Sequence, residues 1–524
     1  MNASKKKLFT TSVLLTFLFY TLANGYRSFH TLYAGDSLYM VYQNDAAWEI
    51  SLGRFVQPFL VLLRGAVTVP FLISALTFLW VSLSVFLVAD FLEIRKTVSI
   101  ALVAAVMSCN VTISSLNATF VSYMDFYTLA LFLSVLAVWL MKNSDRQNTR
   151  MKKLSYLIAG SLSLSISLGI YQSYICVSIA LVMIYFLYKM PEFPSFKKLF
   201  GKAVQFLLPS MAAAVVYYVT WRIFQKAFDI WTADSYNGLA SIGDYSQAGI
   251  GSIIAVAYRN VLEHFIYPKP FITNTFHGIS MSLFWTVLIR LCNIAVVLMI
   301  LLALIKVNIT AKTSLWQKIV QLLIVLLFPL GINIVCVISK GMEHALMIYG
   351  FYFVYILAIK LTEDVFVRSD GTKQAKSTRV PWMIALSAVA IVSWSNIVYS
   401  NQAYLRGNLQ ENAAQSIMTR IVYSIESRED YVPGITPVAF AGTFENSPCI
   451  SDAEPLNSLY LYGMGKTTMT YPGTDHALLS YVLNVNMNLT QVNSQDEAIL
   501  QMPVYPAEGS IAYIDGVLVV KISE

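Results

Sequence analysis

Charge is what this sequence has least of. Only 12% of its 524 residues are Asp, Glu, Lys or Arg, against about 25% in an ordinary soluble domain, and that deficit excludes a water-soluble globular protein. Cysteine and histidine are also scarce, at five residues each. Cys109, Cys176, Cys292 and Cys336 fall inside apolar runs, while Cys449 stands alone in the polar C-terminal part. No disulfide framework can be built from that set, and no Cys/His spacing has the form of a metal site. Internal repeats and low-complexity tracts are missing, as is the inverted repeat common in transporters.

What fills the chain is apolar, with 57% hydrophobic residues and a mean hydropathy of +0.61. The apolar residues come in blocks of about 20, the length a helix needs to cross a hydrocarbon core of about 30 Å. Eleven transmembrane helices are expected: 8–24, 70–89, 98–116, 122–141, 154–170, 173–188, 203–224, 281–305, 319–338, 343–361 and 381–399. The first follows Lys5, Lys6 and Lys7 like a signal peptide, but no small-residue cleavage site follows it, so it reads as a retained helix. The expected fold class is an all-α polytopic membrane protein with a small C-terminal extracytoplasmic α/β domain.

The net charge of +7 hides a split, because residues 1–399 carry 31 basic and 16 acidic side chains and residues 400–524 carry 5 and 13. With the N-terminus inside, the inner segments 1–7, 90–97, 142–153, 189–202, 306–318 and 360–380 hold 22 of those 31 basic residues, as the positive-inside rule requires. Such short basic loops read as topology determinants, so no nucleic-acid partner is expected. An odd number of spans then puts the acidic C-terminal region outside, with outer loops at 25–69 and 225–280. The chain divides into a membrane domain, 1–400, and an extracytoplasmic α/β domain, 401–524. In the latter a helix is expected over 402–427 and a strand over Pro437–Phe444. Ser510–Ser523 should form a hairpin turning at Asp515-Gly516, since both positions tolerate positive φ.

Chemistry is expected in the first outer loop. Residues 32–65 hold Asp36, Asp45, Glu49, Arg54 and Arg64 among apolar residues spaced as in an interfacial amphipathic helix. Three acids and two guanidinium groups there suit a phosphate-bearing lipid headgroup; the alternative is an ordinary set of solvated loop charges. Ionisable groups at bilayer depth are costly and usually have a partner or a task. Asp125 lies at the outer end of span four, and Arg290 in span eight is placed either to meet a lipid phosphate or to pair with Asp125 or Glu343. Glu343 and His344 open span ten, as site residues or as boundary residues. Tyr171 and Gln172 occupy the outer turn between spans five and six, facing a sugar or satisfying the turn. The loop 225–280, with Asp229, Trp231, Asp234, Tyr236, Asp244, Tyr245, Arg259, Glu263, His264 and Lys269, has the acid and aromatic mixture of a carbohydrate lid. Gly35-Asp36-Ser37-Leu38 spells the GDSL esterase signature by accident, since a membrane helix precedes it and no histidine has Asp three residues before it.

The stretch "GDSLYMVYQNDAAWEISLGRFVQP", with "GIYQSY" at 169–174 and the closing "GSIAYIDGVLVVKIS", resembles the bacterial membrane glucosyltransferases related to serotype-converting O-antigen glucosyltransferases, of the C-type glycosyltransferase (GT-C) superfamily. That resemblance implies transfer of glucose from polyprenyl-phosphate glucose to a cell-surface glycan, such as O-antigen, teichoic acid or cell-wall polysaccharide, at the outer face of the cytoplasmic membrane. A carboxylate in the first outer loop would take the acceptor proton, and cations would meet the phosphate. Asp36 is then the general base, with Asp45 sharing that role or orienting the acceptor; family members often carry two adjacent acids where this chain has Asp36-Ser37, so both stay in play. Arg54 is the bidentate phosphate partner, with Arg64 and Arg290 as further phosphate candidates. Trp48 is a sugar-stacking platform or an interfacial anchor. Glu49, Asp125, Tyr171, Gln172, Glu343 and His344 complete the candidates for sugar or acceptor. No cofactor or metal is obligatory on this reading, although a divalent metal is permitted. The partners are the lipid-linked donor, the glycan acceptor and the bilayer. The alternatives are a transporter or flippase for a lipid-linked sugar or polysaccharide, which would concentrate charge at the bilayer midplane, and a polysaccharide polymerase.

Overall fold

The computed structural model describes residues 3–31, 33–42, 45–233, 249–266, 283–367, 379–451, 456, 459, 461–470 and 473–524. A long first helix, α1 (Ala3–Phe29), leads into three short ones, α2 (Gly35–Tyr39), α3 (Ala46–Ser51) and α4 (Gln57–Arg64). The bundle continues through α5 (Pro70–Phe91), α6 (Thr97–Ser108), α7 (Val111–Thr119), α8 (Met124–Asn143), α9 (Arg150–Ile170), α10 (Ile175–Lys189) and α11 (Phe196–Phe228). After α12 (Ile250–Phe265) come α13 (Leu283–Thr310), α14 (Leu315–Ile332), α15 (Ile334–Ile338), α16 (Phe353–Phe366) and α17 (Val380–Glu426). Among the described residues ten helical stretches are long and apolar enough to cross a membrane, and one large apolar core runs through the bundle. The protein is a polytopic all-α membrane protein with a small C-terminal sheet.

Two spans differ from expectation. The segment 343–361 starts as coil, because helix begins only with a 3₁₀ turn at Ile348–Tyr352 that runs into α16. Glu343 and His344 therefore sit on a loop and not inside a helix. This segment is the one of the eleven expected spans that is not among the ten helical stretches long and apolar enough to cross a membrane in the described residues, although 348–366 covers about 31 Å at 2.0 Å and 1.5 Å per residue. The separate helices expected at 381–399 and 402–427 are one, the 47-residue α17, about 70 Å long. Nothing between them breaks a helix, since the junction has no proline, and Gly407 lies where a Cβ would be 3.3 Å from Met464.

The far half of α17 carries the C-terminal region. Its Ala414, Ile417, Met418, Ile421, Val422 and Ile425 recur at helical spacing and form one buried cluster with Val438, Leu518 and Val520 of the sheet. Strands β1 (Pro437–Ala441), β2 (Asn488–Leu489), β3 (Ile511–Ile514) and β4 (Val517–Lys521) lie in the order β2-β1-β4-β3. β1 runs parallel to β2 and β4, with Val438 opposite Leu518, and β3 pairs antiparallel with β4. The β3–β4 turn is Asp515-Gly516, at φ 48° and 82°, as a tight two-residue hairpin demands. Two short helices, α18 (Thr474–Ala477) and α19 (Glu497–Gln501), complete this region.

At one end of the bundle the basic loops meet, with Lys142 and Lys189 bonding Glu93 at 3.1 and 3.4 Å and Lys202 bonding Asp145 at 2.6 Å. The first-loop charges lie toward the opposite end of the same helices, since Asp125 begins α8 and Lys142 ends it. Of the 225–280 loop, Asp229 ends α11 in the left-handed region at φ 54° and Trp231 is exposed. Arg259, Glu263 and His264 lie on α12. Asp234, Tyr236, Asp244, Tyr245 and Lys269 lie outside the described residues.

Candidate active site

The first loop is held by capping and glycine chemistry. Asp45 is the N-cap of α3, its Oδ1 accepting the Trp48 N–H at 2.9 Å, which satisfies one of the helix's orphan donors. Gly53 turns the chain out of α3 at φ 78°, where a Cβ would lie 2.8 Å from Gln172 Nε2 and collide with the Tyr217 hydroxyl. Gly169 is equally confined, since a Cβ there would come within 2.8 Å of Phe55 and Val56. The Val56 N–H donates to the Gly169 carbonyl at 3.0 Å and Gln57 Nε2 to the Ile170 carbonyl at 2.7 Å. The two motifs "SLGRFVQ" and "GIYQSY", more than a hundred residues apart in sequence, are thus one packed unit.

That unit aims Arg54. Its guanidinium lies 3.6 Å from Glu49 Oε2 and 5.3 Å from the Tyr171 ring centroid, within cation–π range. Glu49 is only 3% exposed, and it shares the wall of a cleft with Tyr123. Burial pushes the Glu49 carboxyl up, while Arg54 and Tyr123 pull against that rise. Tyr171 in turn packs on Tyr127 at 4.4 Å between centroids. Gln172 is engaged by the turn itself, donating to the Leu52 carbonyl at 2.8 Å and to the Tyr217 hydroxyl at 2.9 Å. His344 lies within the field of Arg54 and stacks on Tyr462, with centroids 4.6 Å apart and planes at 10°.

Beside this cluster a cleft of about 380 Å³ is lined by Tyr42, Asp45, Glu49, Val61, Leu62 and Tyr123, among others. Its apolar wall belongs to α4, which leaves Phe59, Leu62 and Leu63 exposed, as a helix lying in a membrane interface would. Trp48, the neighbour of Glu49 in sequence, is exposed and is not among the residues lining the cleft.

Asp36 opens α2 and is not among the residues lining that cleft. Burial pushes its carboxyl from 3.8 up to about 6, the range in which a general base works near neutral pH. The end of α2 leans on the same turn as the cleft: the Ser122 hydroxyl donates to Met40 Sδ at 3.6 Å, and Tyr123 follows it. Met40 is four residues, about 6 Å of helix, beyond Asp36.

The remaining candidates have partners of their own. Arg64 and Asp125, expected at phosphate and sugar respectively, close on each other at 2.7 Å with both side chains at most 4% exposed. Arg64 also donates to the Ser122 carbonyl at 2.7 Å and covers the Phe126 ring at 4.4 Å. The pairing of Asp125 with Arg290 considered from sequence is not formed. Arg290 lies on α13 one turn from Asn293, which bonds the Phe265 carbonyl and the Tyr355 hydroxyl. Glu343 turns the other way from His344, toward α12, accepting from Asn260 at 3.3 Å. Among the described residues no three His, Cys, Asp or Glu side chains converge as a metal site would. Tyr123, Tyr217 and Tyr462 were not singled out from sequence; only Tyr123 carried a signal, two residues from Asp125 at a span end.

The chain is thus a helical membrane bundle with acids, guanidinium groups and aromatics gathered over one end. The glucosyl transferase GtrII family matches residues 25–361, and the chain belongs to that family. It is a glucosyltransferase. Every candidate named above except Tyr462 lies within the matched stretch, and the C-terminal sheet lies beyond it. No curated protein and no solved structure matches the chain.

Proposed function

We propose that the protein transfers glucose from polyprenyl-phosphate glucose to a cell-surface glycan at the outer face of the cytoplasmic membrane, by a GT-C-type mechanism. The observation that carries this reading is the first-loop arrangement itself: Asp36 with its carboxyl raised to about 6, and Arg54 held by Glu49 and Tyr171 beside a cleft whose wall is an exposed apolar helix. In the reaction the acceptor hydroxyl gives its proton to Asp36 as its oxygen bonds to the anomeric carbon, and the bond from that carbon to the phosphate oxygen breaks. The departing polyprenyl phosphate gains negative charge, which Arg54 meets. Glu49 and Tyr171 fix the guanidinium in advance, so little reorganisation is needed as that charge grows.

The topology that goes with this reading puts the N-terminus and the Glu93–Lys142–Lys189 end inside and the first loop and C-terminal sheet outside, supported by the concentration of Lys and Arg in the inner loops. Asp45 is the second reading for the base, favoured by its place on the cleft wall. The test is transfer of radiolabelled glucose from polyprenyl-phosphate glucose to a cell-envelope glycan extract by purified protein. Label should enter the glycan with wild type and not with Asp36→Asn. Normal transfer by Asp36→Asn and none by Asp45→Asn would move the base to Asp45, and no transfer by folded wild type would reject the donor.

A further inference from the structure

The C-terminal region does more than sit beside the membrane domain, because one of its segments reaches the helix that carries Asp36. Residues 461–470 are tied to α17, where Gln410 Nε2 donates to the Gly465 carbonyl at 2.7 Å and Arg406 donates to the carbonyl of the preceding Leu459 at 3.1 Å. From that anchorage Gly463, at φ 85°, presses on the end of α7, where a Cβ would lie 2.9 Å from both Cβ and Cγ2 of Thr119. Thr119 is the residue that holds α2: its carbonyl accepts the Ser37 hydroxyl at 2.8 Å, and both residues are fully buried. Farther along, Gly473 lies under Tyr39, with a Cβ position 3.5 Å from that ring. Leu38, also fully buried, belongs to the same apolar cluster as Met469, Ala477 and Leu478. The three residues that follow Asp36 are therefore held by a part of the chain outside the stretch that matches the family, Leu38 and Tyr39 directly and Ser37 through Thr119.

We infer that the segment 461–470, through the Gly463–Thr119–Ser37 contact, is a positioning element for Asp36, so that transfer requires the C-terminal region to be seated on α2 and α7. The inference rests on Asp36 as the base. Gly463 is the only residue type that permits the approach, since its φ strains any side chain and Thr119 occupies the space where one would go. A larger residue lifts the segment, moves Thr119 and with it Ser37, and uncovers Asp36 to water. Misplacement of about 1 Å at a reacting group can cost about 10²-fold in rate. Burial raises the Asp36 carboxyl to about 6, and a displaced α2 would lose part of that burial. Among the described residues, the titratable groups on the elements packed against α2 are Asp475 and His476 of α18 and Tyr462 and Lys466 of the segment 461–470, and α7 brings none.

The experiment compares full-length wild type, Gly463→Ala, Gly463→Ala with Thr119→Gly, Ser37→Ala, Tyr423→Ala and Asp36→Asn, all checked for monodispersity and thermal unfolding. Tyr423 is 73% exposed on α17 and serves as the control. Gly463→Ala and Ser37→Ala should lower kcat by about 10-fold to 100-fold with the donor KM nearly unchanged. Their acid limb should move below that of wild type, toward an ordinary carboxylate, and Thr119→Gly should restore part of the rate to Gly463→Ala by opening the space. A merely structural role would lower the amount of active protein without moving the limb. Full activity in Asp36→Asn rejects the base itself. Loss in Asp36→Asn with a wild-type kcat and pH profile in Gly463→Ala overturns the positioning role. If Gly463→Ala does not fold, Ser37→Ala decides, because it removes one hydrogen bond and adds no bulk; a wild-type profile there overturns the inference equally.

Discussion

Arg64 and Asp125, 61 residues apart, form a buried ion pair at 2.7 Å over the Phe126 ring. A charge pair so enclosed is already neutralised, and admitting a phosphate would mean breaking it. Removing one partner of such a pair strands the other charge, at a cost of about 3–5 kcal/mol. Arg64→Met or Asp125→Leu should therefore lower the unfolding temperature or the yield sharply, while the double replacement recovers much of the loss. In whatever protein survives, the donor KM should be that of wild type. A selective rise in donor KM with unchanged stability would return Arg64 to the phosphate site.

The pH dependence follows from Asp36. A base acts deprotonated, and burial raises this carboxyl to about 6, so the fraction able to accept a proton falls as pH drops through that value. The rate kcat/KM should be level above pH about 7 and fall about tenfold per unit below about 6. Ionising a desolvated carboxylate also costs the native state, so Asp36→Asn should unfold no more easily than wild type while losing activity. A limb near the ordinary 3.8 would mean that Asp36 is not the titrating base.

Ten of the eleven expected spans were legible because each apolar block announces itself locally, and so was the 515–516 hairpin, because its turn chemistry is local too. The partnership of Arg64 with Asp125 was not, since two charges each recognisable as costly do not say which of several others they will meet. The same holds for the candidate site. Asp36, Asp45, Glu49 and Arg54 could be picked out as a mixed-charge cluster within one loop, and "GIYQSY" as a separate motif. That Gly53 and Gly169 lock the two together depends on the close approach of α9 and the first loop, which no spacing encodes. Tyr462 carried no signal at all, because its meaning comes from the His344 ring it stacks on.

Chelation should leave transfer within about twofold of its untreated rate. A monophosphate leaving group can be met by a guanidinium, and among the described residues no three metal-ligating side chains converge. The check is the radiolabel assay after EDTA and desalting; full loss, restored by magnesium or manganese, would place a cation in the donor site.

Gly53 gives a test of the packing that aims Arg54. Gly53→Ala forces a side chain onto φ 78° and into the Tyr217 hydroxyl and Gln172, so activity should fall strongly even where folded protein is recovered. Tyr217→Phe on that background removes the colliding oxygen and should restore part of the activity, while leaving the strain at positive φ. No rescue, with both variants folded, would mean that the turn and not the collision sets the loss.

Arg54 itself separates charge from shape. Lysine keeps the positive charge but has neither the planar fork nor the flat face that lies over Tyr171. Charged hydrogen bonds contribute about 1.5–3 kcal/mol, so losing one of a bidentate pair should raise the donor KM about tenfold or more. Glu49 would also lose the partner that offsets its burial, and Glu49→Gln should ease that part of the defect without restoring donor affinity. Donor KM measured across Arg54→Lys, Glu49→Gln and the double variant decides between the two effects. Equal KM in all three would remove Arg54 from the phosphate and leave it as the structural counter-ion of Glu49.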